Sequence, residues 1–142
     1  MLTGRFEDAG TRSPEELRAD YYDALGDALA AVGVDTAAAE TDVDEAALSA
    51  LANGEQPELT LTEAAAILAL TEEHPHPDTV ESEARDILLL GMTTAVMDVD
   101  ALAAKLGGDL EPKLIQQKVE GRQSMTLTEY ARLHHAIEAN SP

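Results

Sequence analysis

The cations of this chain are gathered in one segment. Five of its nine Lys and Arg residues fall between positions 105 and 132, namely Lys105, Lys113, Lys118, Arg122 and Arg132. Only four acidic residues share that segment, so its net charge is +1, whereas the whole chain carries −19 and the remainder therefore −20. Phosphate binding needs cations in one place even when the average charge is negative. Two interpretations stay open: a nucleic-acid surface, or bases that pair with acids across a packed interface.

Histidine residues could bind a metal ion, but their arrangement does not favour it. His74, His76 and Asp78 lie in a stretch interrupted by prolines, which does not hold ligands to the precision that metals need. His134 and His135 are consecutive on a predicted helix, so their side chains point about 100° apart and cannot chelate one ion. We predict one of these two to be partly buried and the other exposed. No metal and no cofactor is expected.

Catalysis has little support in the sequence. There is no glycine-rich phosphate loop, no nucleophile elbow and no His-Glu metal helix. Acidic residues number 28, so many that proposing any one pair as acid and base carries no information without a pocket. We predict that the protein is not an enzyme.

The acidic residues are spread along the chain among ordinary apolar residues, unlike a disordered acidic block. Self-repulsion of this size opposes compactness in dilute buffer, whereas at about 1 M salt the Debye length is about 3 Å and the repulsion is largely screened. Few lysines and aromatics with abundant Ala, Asp and Glu resemble the cytoplasmic proteins of extremely halophilic archaea. The alternative is an acidic mesophilic protein that binds a basic partner.

Other features of the composition concern the compartment. There is no cysteine, which excludes disulfides and thiolate metal sites. No apolar run approaches the roughly 20 residues of a membrane span, and the N-terminus does not resemble a signal peptide. We expect a cytoplasmic protein with no membrane association.

A repeated four-residue motif indicates which helices would position the basic segment. Thr-Leu-Thr-Glu occurs at residues 60–63 and again at 126–129, each time before a helical pattern. Each copy fits a capping box, in which the threonine oxygen and the glutamate satisfy free N–H groups at a helix start. The phrase therefore predicts two equivalent helix beginnings.

The repeat extends over most of the chain. A capping box of Ser13 and Glu16 with Pro14 predicts a long helix, and Asp78 with Glu81 predicts an equivalent start. In that alignment Leu25-Gly26 corresponds to Leu90-Gly91, and the matched glycines predict close helix approach. To complete the alignment, the second copy needs two extra residues near Gly107-Gly108. It also has one residue fewer before its Thr-Leu-Thr-Glu.

The central part of each copy carries a further pattern. In "AAAETDVDEAALSALANG" a small pair, Ala37-Ala38, precedes a cap at Asp44, then Leu48 and Gly54. In "LAAKLGGDLEPKLIQQKVEG" the equivalent residues are Leu102-Ala103, Glu111, Ile115 and Gly121. This order resembles the lambda-repressor/Cro-like helix-turn-helix domain. The whole chain also resembles an uncharacterised family of small acidic haloarchaeal proteins without a known activity.

The resemblance implies which residues would contact DNA. In that fold the second short helix enters the major groove with its N-terminal residues. In the first copy the corresponding residues, Glu45, Ala46 and Ser49, are acidic or small and unsuited to DNA. In the second copy lysine can donate to guanine and glutamine can pair with adenine. The implied DNA-binding residues are Lys113, Gln116, Gln117, Lys118, Arg122 and Gln123.

The sequence thus predicts an all-α fold of two tandem repressor-like helix-turn-helix units packed as one compact helical protein. The predicted organisation is a flexible N-terminus (1–12), a first unit (13–71), a linker (72–77), a second unit (78–139) and a tail (140–142). The leading hypothesis is a small transcription regulator whose second unit contacts DNA while its first supports the fold or forms a homodimer. The competing hypothesis is an acidic protein-interaction or scaffold module that does not bind nucleic acid.

Overall fold

A computed structural model of the chain describes residues 13–71 and 76–140. The predicted flexible N-terminus, most of the linker (72–75) and residues 141–142 of the tail lie outside these ranges. Every named element within them is a helix, which confirms the all-α fold class. The helices are α1 (Pro14–Val32), α2 (Val34–Glu40), α3 (Glu45–Ala52), α4 (Leu61–Ala69), α5 (Pro77–Ala95), α6 (Val99–Lys105), α7 (Pro112–Val119) and α8 (Leu127–Ala139).

The two halves repeat the same order of helices. The long helices α1 and α5 each have 19 residues, α2 and α6 each have 7, and α3 and α7 each have 8. The last helices differ, since α4 has 9 residues and α8 has 13. Both of these begin with the predicted capping box, in which Thr60 and Thr126 accept the N–H of Glu63 and Glu129, respectively.

The predicted alignment of the two long helices is wrong by two residues. Pro14 begins α1 and Pro77 begins α5, an offset of 63, and the buried Leu25 then corresponds to the buried Leu88. Leu90, which was aligned with Leu25, is 69% exposed. The two additional residues lie between α5 and α6, where residues 96–98 replace the single residue 33 between α1 and α2.

The start of α5 also differs from the prediction. His76 rather than Asp78 is the N-cap residue, and Asp78 lies in the first turn of the helix. Pro77 explains this start, because the first helical position needs no N–H and proline already has a helical φ. The side chain of His76 makes no capping hydrogen bond.

Two predicted length differences are confirmed. The turn between α6 and α7 spans residues 106–111, two more than the turn at 41–44 in the first half. Gly107 and Gly108 lie in it with φ of +79° and +83°, a conformation that glycine adopts without steric cost. The connection before α8 (120–126) is one residue shorter than that before α4 (53–60).

An approximate twofold axis passes between the two repeated phrases. Thr60 and Thr126 form an isolated antiparallel bridge. The N–H of Leu61 donates to the carbonyl of Met125 at 2.6 Å, and the N–H of Leu127 donates to the carbonyl of Leu59 at 2.9 Å. Equivalent groups exchange equivalent bonds, as in an isologous dimer interface.

The approximate twofold symmetry between the two halves extends to the helix packing in the core. The long helix of each half packs most extensively against the last helix of the other half, α1 on α8 and α5 on α4. Gly91 permits the close approach of α5 to α8, since a Cβ there would lie 2.7 Å from Cγ2 of Ile137. A Cβ at Gly26 would meet no atom within 4 Å, so the predicted close approach is confirmed for Gly91 only. Buried apolar residues of both halves therefore form one continuous core.

Candidate nucleic-acid interface

Most cations of the described chain are held in ion pairs. Two of its seven Lys and Arg residues, Lys105 and Lys113, form no ion pair within residues 13–71 and 76–140. The pairs are Arg18–Glu58, Arg85–Glu81, Lys118–Glu129, Arg122–Glu120 and Arg132–Asp109. Both unpaired lysines flank the turn between α6 and α7, although acidic residues greatly outnumber basic ones in the chain.

The N-terminal turn of α7 differs from that of every other described helix. It contains no acidic residue, whereas the first turns of α1 to α6 and of α8 each contain at least one. Lys113 lies there instead, exposed to solvent, and only the N-cap Glu111 is acidic nearby. A cation at this end opposes the helix macrodipole. Local helix stability therefore does not explain why Lys113 is present.

The two faces of α7 are clearly separated. Ile115 and Val119 are buried and attach the helix to the core. Lys113 and Gln116, three residues apart, are exposed and neighbours on the helix surface. Gln117 is half-buried. The side-chain amide of Gln116 donates to Glu120 at 3.5 Å, a long hydrogen bond that leaves it free to reorient.

Lys118 does not belong to this exposed face. Its ammonium donates to Oε1 of Glu129 at 2.8 Å and to the carbonyl of Ser124 at 2.9 Å, and its side chain is 12% exposed. The prediction that Lys118 contacts DNA is therefore not supported by its position. The residue joins α7 to the start of α8.

The turn after α7 carries the last two predicted residues. Arg122 is exposed and forms an ion pair with Glu120, which is also largely exposed. Gln123 is exposed. The main-chain N–H groups of both residues donate to the carbonyl of Gln117, at 2.8 Å for Arg122 and 3.2 Å for Gln123. This turn therefore presents both side chains beside the end of α7.

The equivalent surface of the first half has the opposite character. Asp44, Glu45 and Ala46 are exposed at the start of α3. With the offset of 67 residues that relates α3 to α7, Glu55 corresponds to Arg122. The duplication therefore presents one acidic and one partly basic version of the same surface.

A buried arginine that the sequence analysis missed holds α7 in place. Arg85 is buried, bonds to Glu81 through Nε and Nη2, and donates from Nη1 to the main-chain carbonyl of Lys118. Its guanidinium also lies against Gly121, where a Cβ would be 3.4 Å from Nε. The only signal in the sequence was the Glu81–Arg85 spacing of four residues on one helix.

The histidine prediction is correct in part, because one of the two consecutive residues is buried but the other is not exposed. His134 is buried and its Nδ1 lies 2.7 Å from the hydroxyl of Tyr21, whereas His135 is half-buried. Burial and, to a smaller extent, the neighbouring His135 together lower the pKa of His134 from 6.5 to about 4. His74 lies outside the described residues. Within the described part of the chain, no three His, Asp or Glu side chains are arranged to hold a metal ion.

These features define a class: an all-helical protein built as an internal pair of four-helix units, with one cationic and amide-bearing helix face. The chain belongs to a family of unknown function, DUF5791, whose model matches residues 17–140. Neither the curated proteins nor the solved structures compared with it gave a match.

No single helix in the described ranges is long and apolar enough to cross a membrane, although α5 and α6, bent by 95°, meet the length and composition criteria together.

Proposed function

We propose that this protein is a small, non-catalytic regulatory protein that contacts DNA through the exposed face of α7 and the turn that follows it. The observation that carries the proposal is the first turn of α7, which has no acidic residue and contains Lys113, a lysine without an ion pair among the described residues. The contacting residues are Lys113, Gln116, Gln117, Arg122 and Gln123. Lys118 and Arg85 position the helix and do not reach the DNA.

The chemistry of these side chains suits base edges. A lysine ammonium donates to the O6 and N7 acceptors of guanine, and a glutamine amide pairs with adenine. Lys113 and Gln116 lie on one helix face at the N-terminal end of α7, the end that enters the major groove in helix-turn-helix proteins. The short helix α6, the turn and α7 supply the corresponding elements of that motif.

The charge of the remaining surface fits a contact of this kind. With −20 outside the basic segment, phosphates repel most of the remaining surface, which favours approach of DNA to the α7 face. Affinity from counterion release falls steeply as salt rises. A protein adapted to high salt therefore depends on base contacts more than on phosphate contacts, which is consistent with three exposed or half-buried glutamines and few cations.

The test is a fluorescence-anisotropy titration of labelled genomic DNA fragments in about 1–2 M KCl, where electrostatic screening is strong. We expect the Lys113→Ala, Gln116→Ala double variant to bind at least tenfold more weakly, since each base contact contributes about 1–3 kcal/mol. The matched control is Ser49→Ala at the position of α3 that corresponds to Gln116, which should bind like the wild type. Absence of wild-type binding, or equal binding by the double variant, refutes the proposal.

A second candidate function is docking of a protein partner, which a different observation favours. Leu89, Leu90 and Val96 are large exposed apolar residues on α5 and at its end. Their equivalents in the first half are Gly26, Asp27 and Gly33, so among the described residues this apolar surface is present on the second half only. A defined protein recovered by the wild type in high salt, and lost with Leu90→Asp, would favour this candidate.

A further inference from the structure

Two cavities in the molecule are related by the internal duplication. The first, of about 350 Å³, lies between the turn after α2, the start of α4 and the start of α5. The second, of about 260 Å³, lies between the end of α6, the outer side of α8 and the start of α1. Pro77 lines the first and its equivalent Pro14 lines the second. The fold therefore forms the same recess twice.

The two recesses have opposite charge at equivalent positions. Glu40, the last residue of α2, corresponds to Lys105, the last residue of α6. Ala66 on α4 corresponds to Arg132 on α8. The first recess is lined by five carboxylates, those of Glu40, Asp42, Glu63, Asp78 and Glu81. Among the described residues no carboxylate lines the second, whose polar residues are Lys105, Arg132, His135 and Asn140.

We propose that the second recess, which we call the Lys105–Arg132 pocket, binds the anionic group of a small molecule, a carboxylate or a phosphate. In a chain of net charge −19, a recess with two cations and no carboxylate among its described lining residues is the reverse of the average surface. This inference is independent of the DNA contact proposed for α7, because neither Lys105 nor Arg132 belongs to that face.

Some of the N–H donors on the wall of the pocket are free to bind a ligand. Nη2 of Arg132 donates to the carbonyl of Leu106 at 3.2 Å and to Oδ2 of Asp109 at 2.8 Å. Nε and Nη1 have no hydrogen-bond partner among the described residues, and Lys105 has no ion pair there. Each of these free nitrogens can donate a charge-assisted hydrogen bond to an oxygen of a carboxylate or a phosphate. Asp109 is 67% exposed and occupies one nitrogen only, so it leaves these donors available.

A structural role at the helix ends does not explain the pocket's charge. Cations are favoured near helix C-termini, and Lys105 lies at the end of α6. The equivalent end of α2, however, is occupied by Glu40, and α2 has no basic residue in its last turn. Since the same helix end forms with either charge, Lys105 is not needed for the fold.

The test is an NMR titration of the full-length, 15N-labelled protein in KCl buffer with inorganic phosphate and with succinate. We expect saturable shifts of the amides of Leu106, Arg132 and Asn140. Two variants copy the first half: Lys105→Glu and Arg132→Ala should each bind at least tenfold more weakly. Lys113→Glu carries the same charge change as Lys105→Glu outside the pocket and should bind like the wild type.

The outcomes separate a pocket from its alternatives. Because Lys105 is exposed, Lys105→Glu tests the pocket even where Arg132→Ala disturbs the fold through loss of its contacts to Leu106 and Asp109. Non-saturable shifts, or equal affinity in Lys105→Glu and Lys113→Glu, overturn the proposal. A short DNA duplex that shifts these amides when phosphate and succinate do not also overturns it, and assigns the anion to the DNA backbone. Saturable binding of either small anion supports the pocket whether or not the protein binds DNA.

Discussion

The ammonium of Lys118 lies 2.8 Å from Oε1 of Glu129, and the same oxygen accepts the main-chain N–H of Thr126 at 3.0 Å. One carboxylate oxygen thus closes the capping box of α8 and binds the last turn of α7. The end of the candidate DNA-contacting helix is fixed to the helix start that lies beside the approximate twofold axis.

Substituting Lys118 should affect stability, whereas substituting Lys113 should affect binding. Lys118→Ala removes one partner of a largely buried ion pair, so we expect the free energy of unfolding to fall by about 1–3 kcal/mol. Lys113→Ala is the matched control, because it removes an exposed cation from a helix N-terminus and should leave stability unchanged or slightly higher. Urea unfolding followed by circular dichroism measures both. Equal stability of the two variants would contradict the structural role of Lys118.

The buried imidazole of His134 should make stability depend on pH. Its pKa is about 4 in the folded protein and near the ordinary 6.5 in the unfolded chain, so the unfolded state takes up the proton first as pH falls. The stability contributed by the neutral imidazole is complete above about pH 6.5 and is lost as pH falls towards 4. At about pH 5 the loss is about 2 kcal/mol.

The measurement compares wild type with His134→Leu, which introduces the residue found at the equivalent position of α4, Leu68. Between about pH 7.5 and about pH 5, the wild type should lose about 2 kcal/mol more unfolding free energy than the variant. Titration of the many carboxylates affects both proteins alike. The same pH dependence in both proteins would show that His134 does not titrate in this way.

The two mid-helix glycines should respond in opposite directions to alanine. Gly91→Ala places a Cβ 2.7 Å from Cγ2 of Ile137, and we expect a loss of about 1–2 kcal/mol from overpacking between α5 and α8. Gly26→Ala meets nothing within 4 Å and should gain about 0.5–1 kcal/mol from helix propensity. Urea midpoints at fixed salt give both values. A stabilised Gly91→Ala variant would mean that α5 and α8 are not in close contact.

Stability should also rise with salt. Screening of a net charge of −19 should increase the unfolding free energy by several kcal/mol between about 0.1 M and about 2 M KCl. A parallel series with sucrose separates charge screening from solute exclusion, which strengthens burial without screening. Full, cooperative structure in dilute buffer, with no further gain in KCl, would count against salt adaptation.

Local signals predicted the helices well. Capping boxes at Ser13, Thr60 and Thr126 and the longer turn at Gly107-Gly108 were correct, because these features depend on residues a few positions apart. The register of α5 was not predictable in the same way. Its run of Ile87, Leu88, Leu89 and Leu90 allows more than one apolar face, and packing against α4 and α8 decides that Leu88 is buried.

The candidate site was also predicted only in part, because some of its side chains are placed by local helix patterns and others by contacts with distant residues. Exposure of Lys113 and Gln116 follows from the helix pattern, since Ile115 and Val119 define the buried face. Whether Lys118 is exposed or buried depends on its ion pair with Glu129, eleven residues away in another helix. The position of α7 depends on Arg85, which lies thirty-three residues before Lys118 and bonds to its carbonyl. Only the assembled fold brings these partners together.

The exchange of last helices between the two halves determines how the chain can acquire its structure during synthesis. The side chain of Tyr21 on α1 stacks with His134 and meets Tyr130 edge to face, both on α8. A ribosome must therefore add a further 94 residues after Val32 before it begins the helix that covers α1. Contacts so distant along a chain slow folding. The nascent first half leaves the apolar face of α1 without its cover until α8 has been synthesised, and loss of this thirteen-residue helix would uncover that face permanently.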